Sequence, residues 1–364
     1  MGAKEVQKGK KVRGPKQLTF TAVGDVFLPG TVRFVDGKVL SSDKNPGKTV
    51  LDPVIPYFHR SDVNFCNLEA PISSKGAPQA GRYASFRSYL GMEDVLKKAR
   101  IDFVSLANNH SIDYGWAALS DTMARLKKNG IGFSGAGKNI EEARKPALVK
   151  KGGLTIGLLS YSANVNTPLN FQANEEKYGL APVRISPYFL PDHTNVEDIE
   201  AMRRDIKKWK ALVDFLTVSV HWGISEGGTH TVSLHQKVIG RHAIDFGADL
   251  VLGHHAHAIQ PIEIYKNKPI CYGLGNFVFA LEEGFPRETM LFQCRFSTHK
   301  VHEATFLPAY ISRPGRPEVV SPVEGQGAKI VSLMTRLCAP FGATISVDKK
   351  SGDVIVKRKT SAKE

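Results

Sequence analysis

Six short apolar or β-branched runs alternate along the chain with segments of helical periodicity. The runs are LTFTAV (18–23), DVNFCNLE (62–69), DFVSLA (102–107), LTIGLLSY (154–161), DFLTVSV (214–220) and DLVLG (249–253). Between them GMEDVLKKAR, WAALSDTMARLKKNG, NVEDIEAMRRDIKKWKALV and SLHQKVIGRHAIDFGA space their apolar residues for one face of a helix. Near-continuous apolar strands separated by helices belong to a sheet covered on both faces, so the pattern predicts an α/β protein. Beyond residue 260 the pattern changes. PIEIYKNKPICY, TMLFQCRF and EATFLPAYI read as hairpin-like strands, which predicts antiparallel β structure in the C-terminal third. The polar, Pro- and Asn-rich stretch from Asn164 to Asn195 reads as a long loop or insertion.

Five of the six runs share a second property: each ends in residues able to bind a metal. Asp25 comes just after the first; Asn67 and Glu69 end the second; Asn108, Asn109 and His110 succeed the third; His221 succeeds the fifth; and His254, His255 and His257 succeed the last. In open α/β sheets the ligand crevice lies at the carboxyl ends of the strands, so residues distant in sequence converge there. Each group alone has a structural explanation. Gly24-Asp25 makes an Asx turn, Ser111 or Asp113 caps the helix that starts near Gly115, and a single His221 is a hydrogen-bonded core histidine. Their joint occurrence at five strand ends points instead to a shared cleft. His255 and His257, two apart in an extended segment, would face one side and meet one ion. Carboxylate, amide and imidazole donors without thiolate suit one or two divalent ions such as Mn, Zn or Fe. In YGLGNFVF, Gly273 and Gly275 would let Asn276 approach the cleft, and Trp222-Gly223 would shape its wall.

Composition adds limits. With 42% hydrophobic and 23% charged residues, the 364-residue chain has ample core material. Of the formal +14 charge, nine units sit in two ends: Lys4, Lys8, Lys10, Lys11, Arg13 and Lys16 against Glu5, and Lys349, Lys350, Lys357, Arg358, Lys359 and Lys363 against Asp353 and Glu364. Such ends read as solvated tails, or as arms for an anionic polymer or membrane surface. No aromatic residues are interleaved with these lysines and no nucleic-acid motif is present, so specific nucleic-acid binding is not expected. Cys66, Cys271, Cys294 and Cys338 form no C-x-x-C pair, which favours a reducing compartment. No signal peptide or apolar span is visible; the expectation is a cytoplasmic chain with at most peripheral membrane association.

AVGDVFLPG, NFCNLEAPI, VSLANNHSIDYGWAAL, VSVHWG, GADLVLGHHAHAIQPIE and YGLGNFVF resemble, in order and separation, the CapA/PgsA family of bacterial capsule and poly-γ-glutamate synthesis proteins. That family is similar in turn to calcineurin-like metallophosphoesterases. The resemblance implies a four-layered α/β/β/α sandwich over residues 18–310, between a basic arm (1–17) and a C-terminal extension with a basic tail (311–364). It implies a dinuclear metal site held by Asp25, Glu69, Asn109, His221, His255 and His257, with His110 acting on the leaving group. Asn67, Asn108, His254, Trp222 and Asn276 would line the site or support it. It also implies an anionic polymer such as poly-γ-glutamate as substrate, and other capsule synthesis proteins as partners. The chain departs from the phosphoesterase pattern at Phe27, where a histidine is usual, and in using Asn-Leu-Glu where an aspartate normally bridges. Both departures agree with the CapA pattern, which leaves a non-catalytic, polymer-binding role as the alternative.

Overall fold

The computed structural model describes residues 17–42, 49–163, 171–186, 193–223, 229–279, 286–313 and 315–359. The basic N-terminal arm, the last five residues and parts of the Asn164–Asn195 stretch lie outside them. The fold is mixed α/β, and all six strand-like runs form strands. A ten-stranded sheet is centred on Leu18–Phe27. On one side Leu18–Phe27 pairs in parallel with Val63–Leu68, which continues to Phe103–Ser105 and Gly132–Ser134. On its other side it pairs antiparallel with Glu288–Ser297, followed by Lys300–Arg313, Val354–Arg358 and Ala343–Val347. Of the expected antiparallel additions, TMLFQCRF and EATFLPAYI therefore extend the sheet that the first three runs begin, while PIEIYKNKPICY forms a hairpin at the edge of the second sheet.

The second sheet has six strands in the order Ile262–Tyr265, Lys268–Cys271, Leu250–His254, Phe215–His221, Leu154–Ser162 and Ala147–Lys151. Its central strands run parallel, with His221 opposite His254. The two sheets share an apolar core in which Phe20, Phe65 and Phe292 of the first meet Leu158, Phe215 and Leu252 of the second. Each sheet's other face is covered by helices. Leu96 of Glu93–Lys98 and Leu119 and Leu126 of Gly115–Lys128 pack on the first with Val23, Leu68 and Val104. Met202 and Ile206 of Val196–Lys210 and Ile239 and Ala243 of Leu234–Phe246 pack on the second with Val218, Val220 and Val251. None of the described helices is long and apolar enough to cross a membrane.

Two local expectations need correction. Tyr114, without a side-chain bond, holds the N-cap position of Gly115–Lys128, so neither Ser111 nor Asp113 caps that helix. The C-terminal basic stretch is not a solvated tail up to Arg358: Val354–Arg358 is a strand whose Val354 and Val356 are buried, with the charges at its outer end. Ahead of it, the helix Gly325–Cys338 buries Ile330, Met334 and Cys338 in the core between the sheets.

One backbone contact sets where the first sheet carries its polar end. Asp25 N–H donates to Gly275 O (2.9 Å), and the strand Asn276–Phe279 then pairs with Leu18–Phe27 through Asp25 and Asn276. A Cβ on Gly24 would lie 1.9 Å from Gly275 O, and Gly275 itself has φ +74°. Only backbone fits there. Gly24→Ala is therefore expected to destabilise the fold by about 3 kcal/mol, read as a lower urea midpoint than that of an Ala substitution at exposed Gly37.

Candidate metal centre

Parallel strands that start in register also end in register, and here both sheets end at the same side of the molecule. Asp25 lies opposite Asn67 in the first sheet and His221 opposite His254 in the second. Asp25, Glu69 and Asn109 of the first sheet thus face His221, His255 and His257 of the second. Around His221 Nε2 lie Asn109 Oδ1 at 2.7 Å, His255 Nδ1 at 3.0 Å and Glu69 Oε1 at 3.4 Å. One imidazole proton cannot serve an amide, a second imidazole and a carboxylate together, whereas one cation can take lone pairs from all of them. A second convergence surrounds Asp25: His257 Nδ1 is 3.4 Å from Asp25 Oδ2, and His257 Nε2 is 4.0 Å from Glu69 Oε1. Among the described residues two donor sets result, Glu69–His221–His255 and Asp25–Glu69–His257, each with its donor atoms within 4.8 Å of one another and both sharing Glu69. The donor chemistry fits divalent cations of the borderline class.

The histidines do not reach this arrangement as the sequence suggests. Strand Leu250–His254 ends before them, and His255 (φ +86°) and His257 (φ +50°) occupy left-handed backbone. Alternation along an extended segment is therefore replaced by a turn, and the two rings enter different donor sets. Such conformations persist only where surrounding contacts enforce them. Here the His255 N–H donates to Asp25 Oδ2 (3.2 Å), and His257 Nδ1 lies 2.8 Å from Asn276 Oδ1.

The supporting residues fall into place around Asp25. Asn67 Nδ2 donates to Asp25 Oδ1 (2.9 Å), Asn108 Nδ2 donates to Asn67 Oδ1 (3.1 Å), and His254 Nδ1 donates to Asp25 Oδ1 (3.1 Å). Trp222 is turned away. Its indole is fully buried on the helix-covered face of the second sheet and donates to Tyr272 O (2.8 Å), so it does not wall the cleft.

His110 stands at the mouth, half-buried with Asn109 and His255. Its Nδ1 is 2.7 Å from Asp113 Oδ2, and its ring stacks on Phe86 with centroids 3.9 Å apart and planes 2° from parallel. Arg82 closes the arrangement, pairing with Asp113 (2.6 Å) and donating to Asn109 O (2.7 Å). Sequence reading missed Arg82, Asp113 and Phe86 as site residues. Asp113, three residues after His110, carried the one usable signal; Arg82 and Phe86 come from an unrelated segment. Phe27 is buried, stacked on Phe86 at 4.9 Å and edge-on to Phe279. Phe27 thus belongs to an aromatic support that reaches His110 through Phe86.

Residues 19–281 match the model of the family described as bacterial capsule synthesis protein PGA_cap. The chain belongs to this family. Relatives of this PGA_cap chain include the PGA biosynthesis protein CapA of Bacillus subtilis, 29% identical over 74% of this chain and 65% of that protein. The capsule biosynthesis protein CapA of Bacillus anthracis is 28% identical over 76% of this chain and 63% of its own length. A probable polyglutamine synthesis accessory protein of Mycobacterium tuberculosis is 32% identical over 60% of this chain and 56% of its own. The chain thus spans less than two thirds of each of these proteins.

The charge states of the PGA_cap donor set follow from burial. Burial pushes His221 well below the ordinary imidazole range, helped by His255, and pushes His255 down to about 3, helped by His257. Burial alone would raise Asp25, but its hydrogen bonds and charge interactions with His254 and His257 outweigh that and hold the carboxyl well below its usual value. Folding therefore keeps two imidazoles neutral and one carboxylate charged. Below pH 6.5 the unfolded chain binds protons on those imidazoles that the folded chain refuses, so stability is full above that pH and is lost as pH falls towards about 3. In chelator-treated protein the urea midpoint is expected to fall between pH 6.5 and pH 4, and His255→Gln should flatten that slope; an equal slope in the variant would contradict the assignment.

Proposed function

We propose that this chain is a metal-dependent, hydrolase-type protein of capsule or poly-γ-glutamate synthesis, acting on an anionic polymer or a phosphoester-like bond. The observation that carries the reading is the pair of donor sets sharing Glu69. Two facing sheets with helices on both outer faces support the four-layered phosphoesterase-type sandwich that the resemblance implies. The names of the relatives support the pathway: PGA and capsule biosynthesis in the two Bacillus proteins, polyglutamine synthesis in the mycobacterial one.

Asp25, Glu69, Asn109, His221, His255 and His257 would hold one or two ions of the Mn, Zn or Fe class. When bound, these supply Lewis acidity towards the scissile carbonyl or phosphoryl oxygen and towards an attacking water. The chain's own residues do the rest. Neutral His221 and His255 present lone pairs without first losing a proton. Asp113 accepts from His110 Nδ1, which fixes the tautomer and leaves Nε2 to exchange a proton with the leaving group. Arg82 holds the backbone of Asn109 and the carboxylate of Asp113 together, so amide donor and imidazole move as one unit.

A second reading is a non-catalytic polymer-binding component. Phe27 favours it, because a phenylalanine replaces a usual phosphoesterase histidine and closes that side of the cleft with apolar surface. Metal content and turnover separate the two. His255→Ala/His257→Ala is expected to lose bound metal by elemental analysis and turnover on poly-γ-glutamate or a simple phosphodiester. His110→Ala should keep the metal and lose about 100-fold or more of turnover. Unchanged metal in the double variant would remove the mechanism; full occupancy with no turnover on either substrate would establish the second reading.

A further inference from the structure

At the end of the molecule opposite the donor sets the two sheets part around a cleft of about 490 Å³. Its walls are the turn after Ile262–Tyr265 in the second sheet, and the turn before Lys300–Arg313 and the outer end of Val354–Arg358 in the first. The registers fix its position. Lys268–Cys271 runs parallel to the strand that ends at His254, and Leu18, at the start of the strand that carries Asp25, pairs with Phe296 beside the second turn. Seven residues of strand separate Leu18 from Asp25, roughly 20 Å.

The cleft is cationic, and most of that charge has no local counterpart. Lys266, Lys268, Lys300, Lys357 and Arg358 line it against the single carboxylate of Glu303. Lys266 is held by Asp245 (2.6 Å) and Lys268 by Asp249 (3.1 Å), while Glu303 is neutralised by Arg295 (3.1 Å). Among the described residues no carboxylate pairs with Lys300, Lys357 or Arg358. Three like charges are thus left around one concavity, where the low-dielectric walls focus their field. His302, on the same wall, registers that field: burial pushes it below its ordinary range, and Lys300 and Arg295 push it further.

The lining also selects among anions. It has no Phe, Tyr or Trp, so no large aromatic platform is offered to successive bases, which disfavours single-stranded nucleic acid relative to an aliphatic polyanion. The three cations come from two separate strands and are solvent-exposed at their ends, which suits several anionic groups along one chain. Ile264, Val301 and Ile355 supply aliphatic surface for the methylenes between such groups. The size lies within the range of ordinary ligand clefts.

We propose that this cleft is an exosite for a carboxylate-bearing polymer, holding a stretch of the chain remote from the donor sets through Lys300, Lys357 and Arg358. The identity of that polymer as poly-γ-glutamate rests on the function proposed above; the cationic cleft itself does not. The test titrates fluorescein-labelled poly-γ-glutamate with the full chain and with the triple variant Lys300→Gln/Lys357→Gln/Arg358→Gln. The variant is expected to bind about tenfold more weakly or worse and with a shallower salt dependence, while metal content and melting temperature stay the same. The charge-conserving variant Lys300→Arg/Lys357→Arg/Arg358→Lys should bind like the parent. Polymer affinity unchanged in the triple variant overturns the proposal, as does a loss confined to single-stranded DNA or to orthophosphate. In the His255→Ala/His257→Ala background the same three substitutions are expected to weaken polymer binding by a similar factor, so failure of the exosite and failure of the catalytic reading give different results.

Discussion

Two buried carboxylates held among imidazoles set the terms for the rest of this molecule. Asp25 is 1% and Glu69 0% exposed, and a carboxylate so enclosed costs several kcal/mol unless opposite charge or hydrogen-bond donors answer it. Donors to Asp25 come from both sheets: Asn67 from the first, the His254 ring and the His255 amide from the second. The carboxylate is therefore a polar weld across an otherwise apolar interface. The close approach of Gly24 to Gly275 and the left-handed backbone of His255 and His257 are local costs accepted to form that weld.

The parts of this design that repeat with a fixed period are legible in the sequence. Strands, covering helices and the polar residues at strand ends follow from alternating apolar patterns and from the rule that parallel strands finish together. What depends on tertiary approach is not legible. Arg82 and Phe86 reach His110 from a segment with no catalytic pattern, and the ring stacking that fixes His110 has no counterpart in residue spacing. The left-handed turn at His255 hides because the residue is not glycine, so local composition gives no warning of positive φ. In the C-terminal stretch the lysines masked a strand whose inward valines, Val354 and Val356, alternate as any half-buried strand does.

The aromatic support beneath His110 shapes one whole side of the cleft. With Phe27, Phe86 and Phe279 packed together, one side of the mouth is apolar and rigid, and the imidazole lies flat upon it. A polar residue at position 27 would face this stack and need a partner that the surrounding phenylalanines do not offer. The acidic and imidazole donors thus sit beside a hydrophobic shelf, so the mouth presents charged and apolar surface side by side.

The pairing of Asp25 with His254 spans 229 positions of the chain. Closing so long a loop carries an entropic cost that the packing of the two sheets against each other has to offset. No contiguous fragment confined to one sheet holds both halves of the donor arrangement. A nascent or partly degraded chain would consequently lack that arrangement, and the convergence of these side chains would mark the finished molecule alone.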